Sequence, residues 1–443
     1  MEGLDFYRLI FGFDEKLNVE EKSSSFKYNS NYNMLDIDFN SLIDNERDEE
    51  VKLMHKYFNS ITPSEKNNYT SMFKGKNIIL INAESFDVSA TDKDITPTLY
   101  KMVNNSFVFN NYYQPLYPIS TFDGEYMNLV SLIPKESVWS LRVSSDKSMP
   151  FVYGQTFKKL GYNTYAFHNY VYNFYEREQT HPGLGFKYIA CGNGLEKLMN
   201  CDEWPNSDYE MIKSTVDFYT KKDSPFAIYY LTVSGHLNYN FRENAMSKKN
   251  ESSVSNLNLS NKMKAYIATN KELDKALEYL LDDLEEKGLL DDTLIVISPD
   301  HYPYGLTCNS LNENSKNNRC DKFELHHTSL IMYNPNIEKT EINKVTAGID
   351  IMPTVYNLFG VEYDSRLLMG TDALSKNEGI VILSDRSWVS DYGTYDSITN
   401  KFTLFEGKSV EDGYVEKTNN IVNEKISVSS LILDKDYYSK LGY

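Results

Sequence analysis

The sequence predicts an α/β fold: a mostly parallel central sheet with helices on both faces, plus a small antiparallel-sheet subdomain at the C-terminal end. Three observations lead there. The short apolar runs "NIILINA", "FAIYYLTV" and "TLIVIS" each end in polar residues, as buried parallel strands do. Stretches with helical spacing lie between them, and strand–helix alternation implies a sheet covered on both sides. After about residue 375 the pattern turns to short strands and turns.

Taken in order, residues 1–75 read as a polar lead-in that wraps the domain, with one helical stretch, "DEEVKLMHKYFNSI". Residues 76–375 read as the main domain. "MPFVYGQTFKKLG" (149–161) is expected to be helical before a further strand, "NTYAFH". Residues 262–288 carry apolar side chains at helical spacing and end in Gly288, a natural stop. Residues 240–262 are Ser/Asn-rich and are expected to form an exposed loop. Residues 376–443 read as the strand-rich subdomain with a final helix.

The chain has 443 residues, 41% of them hydrophobic, ample for a packed core. Its 63 acidic side chains outnumber 45 basic ones, a net charge of -18 that argues against nucleic acid as a partner. An anionic substrate therefore needs a metal or a few placed cations. There is no apolar run of about 20 residues to span a bilayer. The opening "MEGLDFYRLIFGFDEK" lacks the apolar core and cleavage site of a secretory signal.

The four cysteines form two local pairs, Cys191 with Cys201 and Cys308 with Cys320, each bracketing a polar stretch. Disulfides and an oxidising compartment are the favoured reading; four unrelated free thiols are the other.

The apolar strands deliver Glu84, His236, and Asp300 with His301 to one edge of the sheet, where open α/β sheets bind ligands. Asp300 and His301 can both reach one divalent ion at a strand end, with Glu84 as a third ligand. Thr121, in "PISTFDGEY", either starts a helix or completes the set as a fourth ligand and nucleophile. Alone, Asp300–His301 reads as a turn, Glu84 as a helix-start carboxylate and His236 as a structural group.

In combination, "NIILINAESFD", "PISTFDGEY", "FHNYVYNFYER", "LTVSGH", "SPDHYPYG" and "GIDIMPTVYNLFG" resemble the extracellular catalytic domain of lipoteichoic acid synthases. These are phosphoglycerol transferases of the sulfatase-like, alkaline-phosphatase-related superfamily. The resemblance runs from about residue 70 to the C-terminus. It implies that Glu84, Thr121, Asp300 and His301 hold manganese or magnesium, in preference to zinc, with Thr121 the nucleophile. It implies that His168, Tyr175, Arg177 and His236 contact substrate, and that His236 also serves catalysis. Tyr175 stands where the family usually has Trp, and Tyr170 where it often has Asp. A His near His326 or His327 often helps bind a metal or substrate in the superfamily. His55 and His181 receive no role.

The partners so implied are a phospholipid donor such as phosphatidylglycerol, a glycerophosphate polymer acceptor and the outer leaflet of the membrane, acting on a monomer. The implied location is the extracellular face of the cell membrane, as a fragment without transmembrane helices, or release to the cell surface. The competing readings are a phosphoethanolamine transferase, phosphodiesterase or sulfatase on the same fold, and a catalytically silent surface-binding protein.

Overall fold

A computed structural model describes residues 26–443. The lead-in expected over 1–75 and the opening stretch read against a secretory signal lie partly and wholly outside these residues.

The central sheet has eight strands. In spatial order they are Thr340–Ile342, Phe107–Phe109, Ile331–Tyr333, Thr293–Pro299, Asn77–Ala83, Phe226–Leu231, Asn163–Val171 and Lys187–Cys191. The last five run parallel, and among the described residues the sheet's only antiparallel pairings are those of Ile331–Tyr333 with its two neighbours. All seven residues of Asn77–Ala83 are buried. Alternation explains why: Ile78 and Leu80 enter one apolar cluster, Ile79 and Ile81 the other.

The helix Asn261–Glu286 covers the second cluster with Leu273, Leu277, Leu280 and Leu284 and ends before Gly288, whose φ is +66°. Helices Thr121–Val130 and Ile351–Phe359 cover the first cluster. The stretch 149–161 holds the helix Tyr153–Lys159, as its spacing predicts.

A separate four-stranded antiparallel sheet spans Ile380–Ile382, Trp388–Ser390, Gly393–Asp396 and Lys401–Leu404. The helix Tyr414–Lys435 then returns Val422, Val428 and Ile432 to the first cluster. The helix Glu49–Ser60, capped by Asp48, adds Val51, Met54 and Phe58 to the same cluster.

Residues 240–262 differ from the expected exposed loop. They contain the helices Ala245–Lys249 and Glu251–Val254, and they bury Met246 and Val254 beside Met263. Asn244 caps the first helix through Ser247 N. Phe241, Leu257 and Leu259 pack against the same cluster, so the stretch is seated by several apolar side chains while the cap satisfies a backbone N–H at the first helix's start.

Both cysteine pairs are bonded, Cys191–Cys201 and Cys308–Cys320, with no free cysteine among the described residues. No helix among them is long and apolar enough to cross a membrane.

Candidate active site

Glu84 follows the strand Asn77–Ala83, and Asp300 and His301 follow Thr293–Pro299, its direct neighbour. Parallel pairing therefore sets all three at one sheet edge. Thr121 opens the helix Thr121–Val130 and turns its hydroxyl to the same point, 3.3 Å from Glu84 Oε2 and 3.4 Å from His301 Nε2. Thr121 is the first residue of the helix, and its hydroxyl stands beside Glu84 and His301. Thr121 does not cap the helix; Asp123 Oδ2 instead accepts from Ile119 N.

Two glycines permit this approach. A Cβ on Gly124 would stand 2.2 Å from the Asp300 carbonyl oxygen, and one on Gly235 would stand 2.1 Å from that of Glu84. Ser85 and Ser120 flank the cluster at φ of 53° and 50°, strained values of the kind found at functional sites.

The electrostatics suit a cation. A carbonyl oxygen can only accept, so the 2.9 Å contact of His301 Nδ1 with Tyr302 O puts the ring proton there. Nε2 then faces inward as a lone pair, 3.2 Å from Asp300 Oδ2 and 3.7 Å from Glu84 Oε1. Asp300 Oδ2 is buried and has no hydrogen-bond partner. Burial pushes the Asp300 carboxyl up to about 7, and the neighbouring Glu84 adds to this. Asp300 Oδ2 and His301 Nε2 face each other as acceptors, an arrangement that a bound ion relieves. The ligand atoms of Glu84, Asp300 and His301 all lie within 4.8 Å of one another. Ser85 braces the set, its Oγ donating to Glu84 and its N–H to Asp300 Oδ1, both at 2.8 Å.

A cleft of about 250 Å³ opens beside the cluster. Glu84, Thr121, His168, Tyr175, Arg177 and His236 all line it. Arg177 donates through Nε and Nη2 to Glu125 Oε2 at 3.0 and 2.5 Å, and through Nη1 to Phe174 O. Three of its five N–H groups are thus taken. Tyr175 stacks on Phe122 at 4.9 Å and lies against the Arg177 guanidinium.

His168 donates from Nδ1 to Leu231 O, which leaves Nε2 buried and without a partner. Burial, helped by the Arg177 charge, depresses it to about 3, so it is a neutral acceptor. His236 likewise donates to Leu237 O, and burial lowers it too.

His326 and His327 are not members of the cluster that could hold an ion. His326 packs its ring on Tyr302, while His327 bonds Glu324 and Asn110 O. His55 bonds the Tyr437 hydroxyl.

Sequence reasoning missed Glu125. It is fully buried and gathers Arg177, the Tyr229 hydroxyl at 3.0 Å and His181 at 3.4 Å. Burial alone would raise its carboxyl, but Arg177 and then His181 reverse this and hold it at about 2. His181, left without a role above, belongs to this anchor. The available signal was spacing, since Glu125 lies one helical turn beyond Thr121.

Residues 76–361 match the Sulfatase family. The chain is 28% identical over 375 residues to a lipoteichoic acid synthase of Staphylococcus saprophyticus, covering 81% of this chain and 54% of that protein. It thus spans about half the length of that relative. The structure of the lipoteichoic acid synthase LtaP from Listeria monocytogenes matches with a TM-score of 0.71 at 22% identity, over 84% of this chain and 96% of that one. The Streptococcus pyogenes phosphoglycerol transferase GacH, solved with sn-glycerol-1-phosphate, matches with a TM-score of 0.51 at 15% identity, over 90% and 96%. These two likenesses show a shared fold, and the match over 76–361 carries more than half of the sequence: the chain belongs to the Sulfatase family.

Proposed function

We propose that the chain is a metal-dependent phosphoglycerol transferase that takes the head group of phosphatidylglycerol and adds it to a glycerophosphate polymer. The observation that carries this is the meeting of the Thr121 hydroxyl with the acceptors Glu84, Asp300 and His301 at the ends of adjacent parallel strands. The names of its relatives, lipoteichoic acid synthase and phosphoglycerol transferase, support the substrate class.

Thr121 Oγ attacks phosphorus, and the bond from phosphorus to the diacylglycerol oxygen breaks. The threonine proton ends on that leaving oxygen, and phosphoglycerol stays on Thr121. A glycerol hydroxyl of the acceptor then attacks the same phosphorus and the bond to Thr121 breaks, returning a proton to it. His236, neutral with Nε2 open, takes the proton of the incoming hydroxyl. His168 Nε2 accepts from a glycerol hydroxyl, and the Arg177 guanidinium faces the phosphoryl oxygens.

Thr121 sits at the positive end of a ten-residue helix, which favours negative charge there. The donor set, oxygens with a single imidazole, suits manganese or magnesium better than zinc. Such an ion, when bound by Glu84, Thr121, Asp300 and His301, eases loss of the threonine proton and offsets phosphoryl charge.

The reading places the site at the outer leaflet, with residues 76–375 as the catalytic unit of a monomer. The two disulfides support an oxidising location. A formylglycine sulfatase is disfavoured, because "CDEWP" and "STFDG" lack the C/S-x-P-x-R pattern and Cys201 is bonded to Cys191. Thr121→Ala tests the proposal by manganese content and by diacylglycerol release from labelled phosphatidylglycerol. Folding should persist, manganese should bind more weakly through the remaining Glu84, Asp300 and His301, and release should fall to background. Release near the parent level overturns the nucleophile assignment, and release from phosphatidylethanolamine instead would move the donor.

A further inference from the structure

The cleft mouth is edged by an unbroken line of aromatic rings. From Trp139 the contacts pass to Tyr175 at 5.6 Å, Phe174 at 4.4 Å, Tyr170 at 5.5 Å and Trp204 at 4.8 Å, and end on His236 at 4.8 Å. Trp139, Phe174 and Trp204 are 42%, 46% and 38% exposed, although large apolar rings ordinarily gain by burial. The chain has three tryptophans, and the third, Trp388, is wholly buried against the C-terminal sheet. The other two are partly exposed here, Trp204 lining the cleft and Trp139 joining its edge through Tyr175.

We propose that this aromatic rim docks the cleft onto the surface of a phospholipid bilayer, with Trp139, Phe174 and Trp204 entering the interfacial layer. Trp and Tyr favour that layer because each has an apolar ring and one polar atom. The exposed parts of Trp139, Phe174 and Trp204 are apolar rings, which suit insertion into a bilayer interface. The nearby Arg142 is occupied by Glu176 at 2.9 Å and by Asp146, so it is not a free cation for anionic head groups. The inference rests on the lipid-donor reading: the bond to be broken lies at the bilayer surface, and the diacylglycerol released stays in the bilayer.

The test uses tryptophan emission and vesicle sedimentation. Vesicles are phosphatidylcholine with and without phosphatidylglycerol, each with and without brominated phosphatidylcholine, at low and high salt. Emission should move to shorter wavelength and be quenched by brominated lipid on both compositions. Binding should change by less than about twofold with salt, because insertion is apolar. The variant W139A/F174A/W204A should bind about tenfold or more weakly, while its remaining Trp388 reports an intact fold.

Unquenched parent emission, or variant binding within about twofold of the parent, overturns the proposal. An emission change with soluble glycerophosphate polymer but not with vesicles overturns it too, and makes the rim a polymer seat. Parent protein that turns over dissolved short-chain phosphatidylglycerol yet ignores vesicles refutes docking alone. Vesicle binding with quenching but no diacylglycerol release upholds docking and refutes the transferase reading.

Discussion

Replacing Glu125 by Gln should destabilise the chain by about 3–5 kcal/mol, because it strips a buried guanidinium of its counter-charge. Arg177 and Glu125 are both buried and joined at 2.5 and 3.0 Å. The gap between about 2 for Glu125 in the folded chain and its ordinary 4.5 is worth about 3 kcal/mol at 1.36 kcal/mol per pH unit, in line with that figure. An unfolding entropy of about 0.9 kcal/mol/K for this length converts the loss to about 3–5 °C in Tm.

The sign with pH follows from the depressed carboxyl. Its stabilisation is present above about pH 4.5 and is lost as pH falls towards 2, so the parent should weaken over that window and E125Q should lack this contribution. Adding Arg177→Met removes the stranded charge, and E125Q/R177M should recover more than half of the loss. Thermal or urea unfolding across pH 2–7 measures all three proteins. A loss below about 1 kcal/mol for E125Q, or a double variant no more stable than E125Q, would refute the anchoring argument.

Three further outcomes are expected. Burial pushes Asp208 up to about 6 despite hydrogen bonds from Val233, Asn169 and Ser234, so stability should fall as pH rises from about 4 to 6. Asp208→Asn keeps an oxygen for those donors and should remove that fall, gaining up to about 3 kcal/mol at pH 8; parallel unfolding profiles for parent and variant would contradict it. Gly235→Ala, whose Cβ meets the Glu84 carbonyl, should cost about 2–3 kcal/mol and weaken manganese binding, read by unfolding and by metal titration. Replacing Cys308 and Cys320 by Ser should cost about 3 kcal/mol and raise amide exchange around Asp87, because the closed loop holds Arg319 on that carboxylate at 2.6 Å; unchanged exchange there would count against the coupling.

The sequence by itself determined the parallel strands, the helices between them and the polar groups at the strand ends. Apolar runs such as "NIILINA" have one low-energy fate, a buried strand, so the position of Glu84 after its last residue was legible. The same logic placed Asp300 and His301, and local spacing paired the cysteines. Short-range rules govern all of these. What only the tertiary structure decided depends on groups far apart in the chain. Glu125 could be seen one turn beyond Thr121, yet nothing in its neighbourhood told that Arg177, His181 and Tyr229 converge on it. Trp204, in a polar stretch just beyond Cys201, gave no sign of reaching His236. Residues 240–262 looked solvated until Met246 and Val254 found Met263. A side chain's charge state and role depend on what buries it and which partners satisfy it, and those partners are fixed only when distant segments pack.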